Sequence, residues 1–200
     1  MLGKRADHTV LSRDTGSASR PALLVAAIGV VESAGTPAVT LGEIAAAAAV
    51  DAGAASGLFA SVDDLLVEAA LQMCADDLRL AAVAETTGAP TVSAYAHHFA
   101  RRRVFYRAMR HGAVAETLDA RMAELMAPLI TVQIRTLVGS RMTEDAIAAL
   151  TVEVTAESFD VTNRWILESG DAEGAESLYI RLEAIVLRRL DDARRLRGEN

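Results

Sequence analysis

Residues 40–66 read TLGEIAAAAAVDAGAASGLFASVDDLL and contain three successive signals for the start of a helix. Thr40 followed by Glu43 is typical of a capping box, in which each side chain accepts a hydrogen bond from the backbone N–H of the other residue. Asp51 and Ser61 are residue types that cap helix starts with a side-chain oxygen. The stretch therefore predicts a helix over about 41–48, a short one ending near 58 and a long one ending near 84.

The residues before this stretch predict an arm and a first helix. Residues 1–20 are rich in Ser, Thr, Asp and Gly and lack a helical period, so we expect a flexible arm there. Pro21 suits the first turn of a helix, and apolar residues follow it at helical spacing as far as Ser33. The helices predicted between Pro21 and residue 66 have the number and lengths of a helix-turn-helix module.

The rest of the chain shows helical periodicity interrupted by glycine and proline. Further helices are predicted near 91–110, 114–126, 128–139, 143–168 and 174–195. The alternation typical of strands does not occur, and 40 of the 200 residues are alanine, a strong helix former and a poor strand former. The predicted fold class is therefore all-α.

Composition restricts the class of protein further. Hydrophobic residues make up 52 % of the chain, so a sizeable core is available. The single cysteine, Cys74, excludes a disulfide framework and a zinc site built from several thiolates. The longest apolar run, residues 22–31, has about half the length of a membrane span, and its polar lead is long for a signal peptide. We therefore expect a cytoplasmic protein that does not cross a membrane.

The formal net charge of −7 is distributed unevenly. Residues 21–78 contain eight acidic residues and no Lys, Arg or His, which gives this segment a charge of −8. Residues 1–20 hold four cations against two acidic residues. Because proteins bind nucleic acid largely through cations placed on phosphates, the predicted helix-turn-helix depends on the arm or on another subunit for attraction to DNA.

Two sets of residues fall at the spacing of a known family. The first set, which has no gap, consists of Leu23, Leu24, Ala26, Ala27, Glu32, Gly35, Thr40, Ile44, Ala45, Val50, Gly53, Phe59, Ser61 and Leu65. The second set consists of His98, Phe99, Arg103, Tyr106, Arg164, Trp165, Ile166, Glu168 and Gly170. In the first set the chain resembles the DNA-binding domain of the tetracycline-repressor (TetR) family of transcriptional regulators. In the second it is similar to the ligand-sensing half of that family.

The resemblance implies a three-helix helix-turn-helix domain at residues 21–66, joined by a long helix to a helical ligand-binding and dimerisation domain at residues 67–200. It implies a ligand-responsive repressor that forms a homodimer through its last two helices. Its implied partners are operator DNA and a small-molecule effector, with no cofactor and no membrane. The sequence contains no phosphate-binding loop, nucleophile elbow or recognisable Cys–His pair, so we expect no enzymatic activity.

The departures from the family pattern lie where TetR proteins touch DNA. Relatives place Lys, a small hydroxyl residue, Tyr, Arg and His along the recognition helix, whereas residues 52–58 read AGAASGL. The contact-capable residues that remain, by position, are Thr40, Ser56, Arg5, Arg13 and Arg20, together with Lys4. Two interpretations stay open. The chain is a working regulator with weak, shape-based DNA contacts, or its helix-turn-helix has lost operator binding and contacts a protein partner instead.

Ala49 lies in the predicted turn between the second and third helices, where many relatives have glycine. If this turn requires a positive φ, alanine disfavours it by about 1 kcal/mol relative to glycine. We therefore expect strain at Ala49 if the family's turn is kept.

The C-terminal half contains candidates for an apolar ligand pocket. The predicted lining consists of Tyr95, Phe99, Phe105, Met109, Met126, Phe159, Asn163 and Trp165, together with Tyr106 and Met122. Gln133 is a further candidate for the pocket, because it is a polar residue in an apolar stretch and a buried amide requires a hydrogen-bond partner. Plain core packing is the alternative for each of these residues.

Three other patterns in this half leave alternatives open. One helix face carries Arg103, Arg107 and Arg110 and either receives an anionic ligand or is solvated and paired with nearby acids. The adjacent His97 and His98 point to different faces, so no metal site is expected. An apolar stripe fits either a dimer interface or an internal core, and consists of Leu150, Val154, Val161, Leu182 and Ile185.

Overall fold

The fold is all-α, as the sequence predicts. A computed structural model describes residues 11–84, 92–168 and 174–196, and no strand occurs among them. The helices are α1 (Leu11–Ala34), α2 (Leu41–Ala47), α3 (Ala52–Leu58), α4 (Val62–Ala84), α5 (Val92–Arg101), α6 (Arg103–Met109), α7 (Val114–Val138), α8 (Glu144–Leu167) and α9 (Ala175–Leu196). Within these ranges, no helix has both the length and the apolar character that crossing a membrane requires.

The chain divides into two compact units, Met1–Ala70 and Leu71–Asn200. The boundary falls inside α4, four residues beyond the expected division after residue 66. Residues 1–10, which include Arg5, lie outside the described part of the expected arm.

Small side chains allow the first three helices to pack closely. Helices α1, α2 and α3 contact one another. Leu23, Ala27 and Val31 recur every fourth residue on α1 and are fully buried, as are Ile44 on α2 and Ala55 on α3. Because Ala55 presents only a methyl group to this core, α3 can lie near the other two helices without leaving a void.

The predicted starts of α2 and α3 are confirmed. The Thr40 hydroxyl accepts from the Glu43 N–H at 3.2 Å, and the Glu43 carboxylate accepts from the Thr40 N–H at 2.7 Å. The Thr40 hydroxyl also donates to this carboxylate, and these hydrogen bonds lower the pKa of Glu43. Asp51 caps α3 by accepting from the Ala54 N–H at 3.0 Å. These caps fix the starts of α2 and α3 within the sequence.

The turn after α2 confirms the expectation for Ala49. The φ of Ala49 is +53°, a left-handed conformation that residues other than glycine rarely adopt. The Ala49 N–H donates to the Ala46 carbonyl at 3.2 Å, and the Val50 N–H donates to the Ala45 carbonyl at 2.9 Å. This pair of bonds is the Schellman motif, which satisfies the last carbonyls of a helix and requires a left-handed residue at this position.

The first helix begins ten residues before the predicted start at Pro21, so that prediction is wrong. Proline lacks one N–H donor but keeps a φ compatible with a helix, so it removes a single hydrogen bond without ending α1. The part of α1 that precedes Pro21 is anchored to the rest of the unit by Arg20. It binds the Glu68 carboxylate through two nitrogens, donates to the Leu58 carbonyl at 3.1 Å and stacks on the Phe59 ring at 4.5 Å.

Two predicted boundaries in the second unit are also wrong. α7 continues through Pro128, which was expected to separate two helices. Pro128 is exposed, so the carbonyl that loses its backbone donor can be hydrated. The helix predicted over 91–110 is instead interrupted at Arg102, whose φ of −106° and ψ of 17° are not helical.

The apolar stripe that fitted either an interface or a core belongs mainly to the core. Leu150, Val154, Leu182 and Ile185 are all at least 95 % buried, whereas Val161 is half-buried. One cluster joins helices α7, α8 and α9 and consists of Ile134, Val138, Ile147, Leu150, Val154 and Leu190.

The strained turn yields a stability prediction. Ala49→Gly removes the left-handed penalty at an exposed position and should raise the free energy of unfolding by roughly 1 kcal/mol, after the entropy of the unfolded glycine is subtracted. The matched control Ala54→Gly, at an exposed helical position in α3, should lower it by a similar amount. Urea unfolding of both variants measures the difference, and destabilisation by both would contradict the strain at Ala49.

Candidate functional site

The exposed surface of α3 carries only very short side chains. Ala52, Gly53, Ala54, Ser56 and Gly57 are all exposed, and the hydroxyl of serine is the longest polar group among them. The Ser56 hydroxyl donates to the Ala52 carbonyl at 2.9 Å, one helical turn earlier. A helix that reads base edges needs side chains with reach and hydrogen-bonding groups, and this face offers almost none.

The predicted DNA-contacting cations are not gathered on this face. Arg20 is bound to Glu68 within the first unit. Arg13 lies on α1, but its side chain is outside the described part, and Arg5 lies in a segment outside the described residues altogether. Thr40 is exposed with its hydroxyl engaged in the α2 cap. Among the described side chains of the first unit, Arg20 is the sole cation.

A cavity of about 40 Å³ lies inside the second unit. Its lining comes from five helices and consists of Leu78, Val92, Tyr95, Met126, Leu129, Ile130, Gln133, Ile134, Leu137, Val154, Ser158, Phe159, Leu182 and Val186. Engineered cavities of about 150 Å³ admit benzene, so a ligand of that size requires the lining to move. The half-buried Leu129, Ile130, Phe159 and Val186 are among the lining side chains with room to do so.

The cavity contains part of the predicted pocket. Tyr95, Met126, Phe159 and the further candidate Gln133 line it. The other predicted residues do not, and they are Phe99, Phe105, Met109, Asn163, Trp165, Tyr106 and Met122. Except for Asn163, which is half-buried, these residues are buried in the core. The aliphatic lining of α7 was missed, because its leucines and isoleucines have the same helical spacing as ordinary core residues.

Aromatic packing explains why several of these residues lie away from the cavity. The ring of Phe99 stacks between Tyr95 and Tyr106, with centroid distances of 4.6 Å to each. Phe105 meets Tyr106 edge-on at 5.3 Å. Apart from Tyr95, the aromatic side chains of α5 and α6 therefore fill one another's space away from the cavity.

On the helix face that carries Arg103, Arg107 and Arg110, pairing with an acid is found for Arg110, whereas Arg103 and Arg107 bind backbone carbonyls. Arg103 donates to the carbonyls of Trp165 and Glu168, each at 2.7 Å, and lies over the Trp165 ring at 4.3 Å. Arg107 donates to the carbonyls of Ile166 and Glu168, each at 2.9 Å. Neither a bound anion nor an acidic partner is needed to explain these arginines, because they bind the carbonyl groups at the C-terminal end of α8.

The third arginine of this face is paired within the unit. Arg110 binds both oxygens of Asp119, at 2.7 and 2.8 Å, and its side chain is only 9 % exposed. Asn163, predicted to line the pocket, donates to the same carboxylate at 3.2 Å. Asn163 therefore helps to join α8 to α7.

A buried histidine forms a polar network that sequence reasoning missed. The side chain of His98 is fully buried, with Nδ1 at 2.7 Å from Asp77 and Nε2 at 2.8 Å from the Tyr106 hydroxyl. Because the Asp77 carboxylate only accepts, Nδ1 carries the proton and Nε2 accepts from Tyr106. Burial lowers the pKa of His98, against an opposing effect of Asp77, and Arg101 and Arg102 lower it further. The imidazole is therefore neutral at neutral pH.

Neither a reactive thiol nor a cluster of metal ligands occurs among the described residues. Burial raises the pKa of the Cys74 thiol to about 12, which keeps it protonated and unreactive. Within the described ranges, no three His, Cys, Asp or Glu side chains are grouped to hold a metal. No protein-family model matches the chain, and no curated protein is significantly similar to it.

The buried histidine yields a pH prediction. The unfolded chain binds a proton at His98 below about pH 6.5, whereas the folded chain resists it, so stability falls as the pH decreases from there. The slope should approach about 1.4 kcal/mol per pH unit at most. His98→Gln should flatten the dependence between about pH 6.5 and 5, because the amide can replace both hydrogen bonds without titrating.

The adjacent His97 supplies the control for this prediction, because it is exposed. His97→Gln should leave the slope as in the unsubstituted protein. Urea titrations at a series of pH values measure both variants, and an unchanged slope in His98→Gln would show that other groups cause the acid sensitivity.

Proposed function

We propose that the protein is a TetR-like, ligand-responsive transcriptional regulator. The observation that carries this proposal is the α2–turn–α3 geometry, in which two capped helices are joined through the left-handed Ala49. Two short capped helices joined by a tight turn are what a helix-turn-helix requires, and an apolar cavity among the helices of the second unit supports a ligand site. In this proposal, a small-molecule effector enters the cavity and alters the affinity of the first unit for operator DNA.

A second candidate function is favoured by the charge of the same unit. Glu43, Asp51, Asp63 and Asp64 are exposed near the ends of α2, α3 and α4, and Arg20 is paired with Glu68. A surface of this sign repels the phosphates of a duplex. In this alternative, the helix-turn-helix no longer binds an operator, and its short-side-chain face contacts a protein partner.

DNA binding separates the two candidates. The regulator should select a sequence from a randomised duplex pool, with an affinity that falls steeply as salt increases. If the first unit contacts a protein partner instead, the chain should select no duplex sequence even at low salt. The measurement is fluorescence anisotropy of the purified full chain with the selected duplex and with a scrambled one.

Restoring cations on α3 tests whether this face still meets DNA. Ala52→Lys combined with Ser56→Arg places two cations at exposed positions and should increase nonspecific affinity, with the salt slope steepened by about 2. The control adds the same charge to the second unit, at the exposed Leu80 and Val132, as Leu80→Lys with Val132→Arg. Equal gains from both pairs would show that net charge alone is responsible. Ala52→Lys with Leu58→His is a weaker test, because Leu58 is half-buried.

A homodimer through the last two helices is also part of the proposal. On α8 the exposed Ala149, Val152 and Ala156 recur at helical spacing. On the neighbouring α9 the exposed residues at such spacing are Ile180, Ala184 and Leu187, and arginine–glutamate pairs join the two helices. Large apolar side chains exposed in this way support an interface with a second copy.

The dimer is tested by placing a charge in these stripes. Val152→Glu with Leu187→Glu should shift the protein from dimer to monomer in analytical ultracentrifugation, because burying unpaired carboxylates is costly. Leu80→Glu, at an exposed position outside both stripes, should leave the mass unchanged. A monomer before any substitution would refute the dimer, whatever the DNA experiments give.

A further inference from the structure

The lining of the cavity is uncharged throughout. No lining residue carries a charge, and the polar ones are Tyr95, Gln133 and Ser158. Transfer of an ionised group into such surroundings costs many times more than transfer of a neutral one. Arg103, Arg107 and Arg110 do not serve as counter-ions within the lining, since they bind carbonyls or Asp119 elsewhere.

The hydroxyl proton of the lining residue Tyr95 has no acceptor within the described ranges. Tyr95 is 7 % exposed, and its hydroxyl oxygen accepts from the Thr162 hydroxyl at 3.4 Å. With Thr162 as donor, the Tyr95 proton needs a different acceptor, and none is found within the described ranges. Burial raises the pKa of Tyr95, so the proton stays on the phenol. A buried donor without an acceptor costs about 1–3 kcal/mol, which a suitable ligand would recover.

We propose that the cavity binds a neutral, largely apolar molecule that accepts a hydrogen bond from the Tyr95 hydroxyl. This inference rests on the proposed function in treating the cavity as the sensing site, and it adds the chemical class of the ligand. The half-buried Leu129, Ile130, Phe159 and Val186 lose further water contact when such a molecule enters. The hydrophobic effect therefore supplies most of the affinity, and the tyrosine supplies the selectivity.

Three probes of nearly the same shape separate the components of this inference. Acetophenone is neutral and has a carbonyl acceptor, α-methylstyrene replaces the carbonyl by a methylene group, and benzoate adds a negative charge. Titration of the full-length protein with each probe, followed by NMR chemical shifts and by the melting temperature, measures binding without DNA. Acetophenone should bind most tightly, α-methylstyrene about fivefold more weakly, and benzoate not at all.

An isosteric variant assigns the selectivity to one atom. Tyr95→Phe removes the hydroxyl and keeps the ring, so acetophenone should lose its advantage while α-methylstyrene binds as before. Tyr179→Phe is the matched control, since Tyr179 does not line the cavity, and it should change neither affinity. Ser158→Leu fills the cavity from α8 and should abolish binding of both probes. If this variant fails to fold, the comparison of Tyr95→Phe with Tyr179→Phe still decides the role of the hydroxyl.

Each other outcome overturns a defined part of the proposal. Tight binding of benzoate would refute the neutral class, and equal binding of acetophenone and α-methylstyrene would refute the role of Tyr95. Binding of none of the probes would refute the cavity as a site for this class of ligand. These results are independent of operator selection, so a failure here and a failure of the regulator proposal are distinguished by separate experiments.

Discussion

In each unit, an arginine that lies over an aromatic ring binds a backbone carbonyl beside that ring. Arg20 lies over Phe59 and donates to the Leu58 carbonyl, and Arg103 lies over Trp165 and donates to the Trp165 carbonyl. Only 4 % of the residues are aromatic and one in five is alanine, so the helices present few large apolar surfaces to one another. A guanidinium combines a planar face with five donors, and it therefore fixes helix ends that alanine packing alone would leave loosely held.

This use of arginine has an electrostatic consequence for the first unit. Arg20 is the last cation before a long acidic segment, and its charge is neutralised by Glu68 inside the unit. The interaction that holds α1 against α3 and α4 thus neutralises the one cation among the described side chains of this unit. Stability of the unit and attraction to a polyanion compete for the same side chain, and the geometry favours stability.

Local signals in the sequence predicted local structure well. Side-chain caps at Thr40 and Asp51 act over three residues, so their spacing alone identifies the helix starts. The expectation for Ala49 came instead from the resemblance, in which this turn often holds glycine, and its φ is positive. The starts and breaks assigned to Pro21 and Pro128 were wrong, because contacts from distant residues or hydration offset one lost hydrogen bond. The cavity was predicted only in part, because its lining depends on which side chains of five helices meet. Helical periodicity does not contain that information.

The position of the charges also explains why the cavity is neutral. Arginines bind carbonyl groups at the C-terminal end of α8, and acids pair with arginines along the outer side of α8 and α9. Up to Thr162, the buried residues of α8 have only aliphatic or hydroxyl side chains, including Thr151, Ser158 and Thr162. Hydroxyls can donate to one another or to a backbone carbonyl, so they are buried at little cost where a charge is not. In a cavity lined in this way, an unmet hydrogen bond is penalised more strongly than in water.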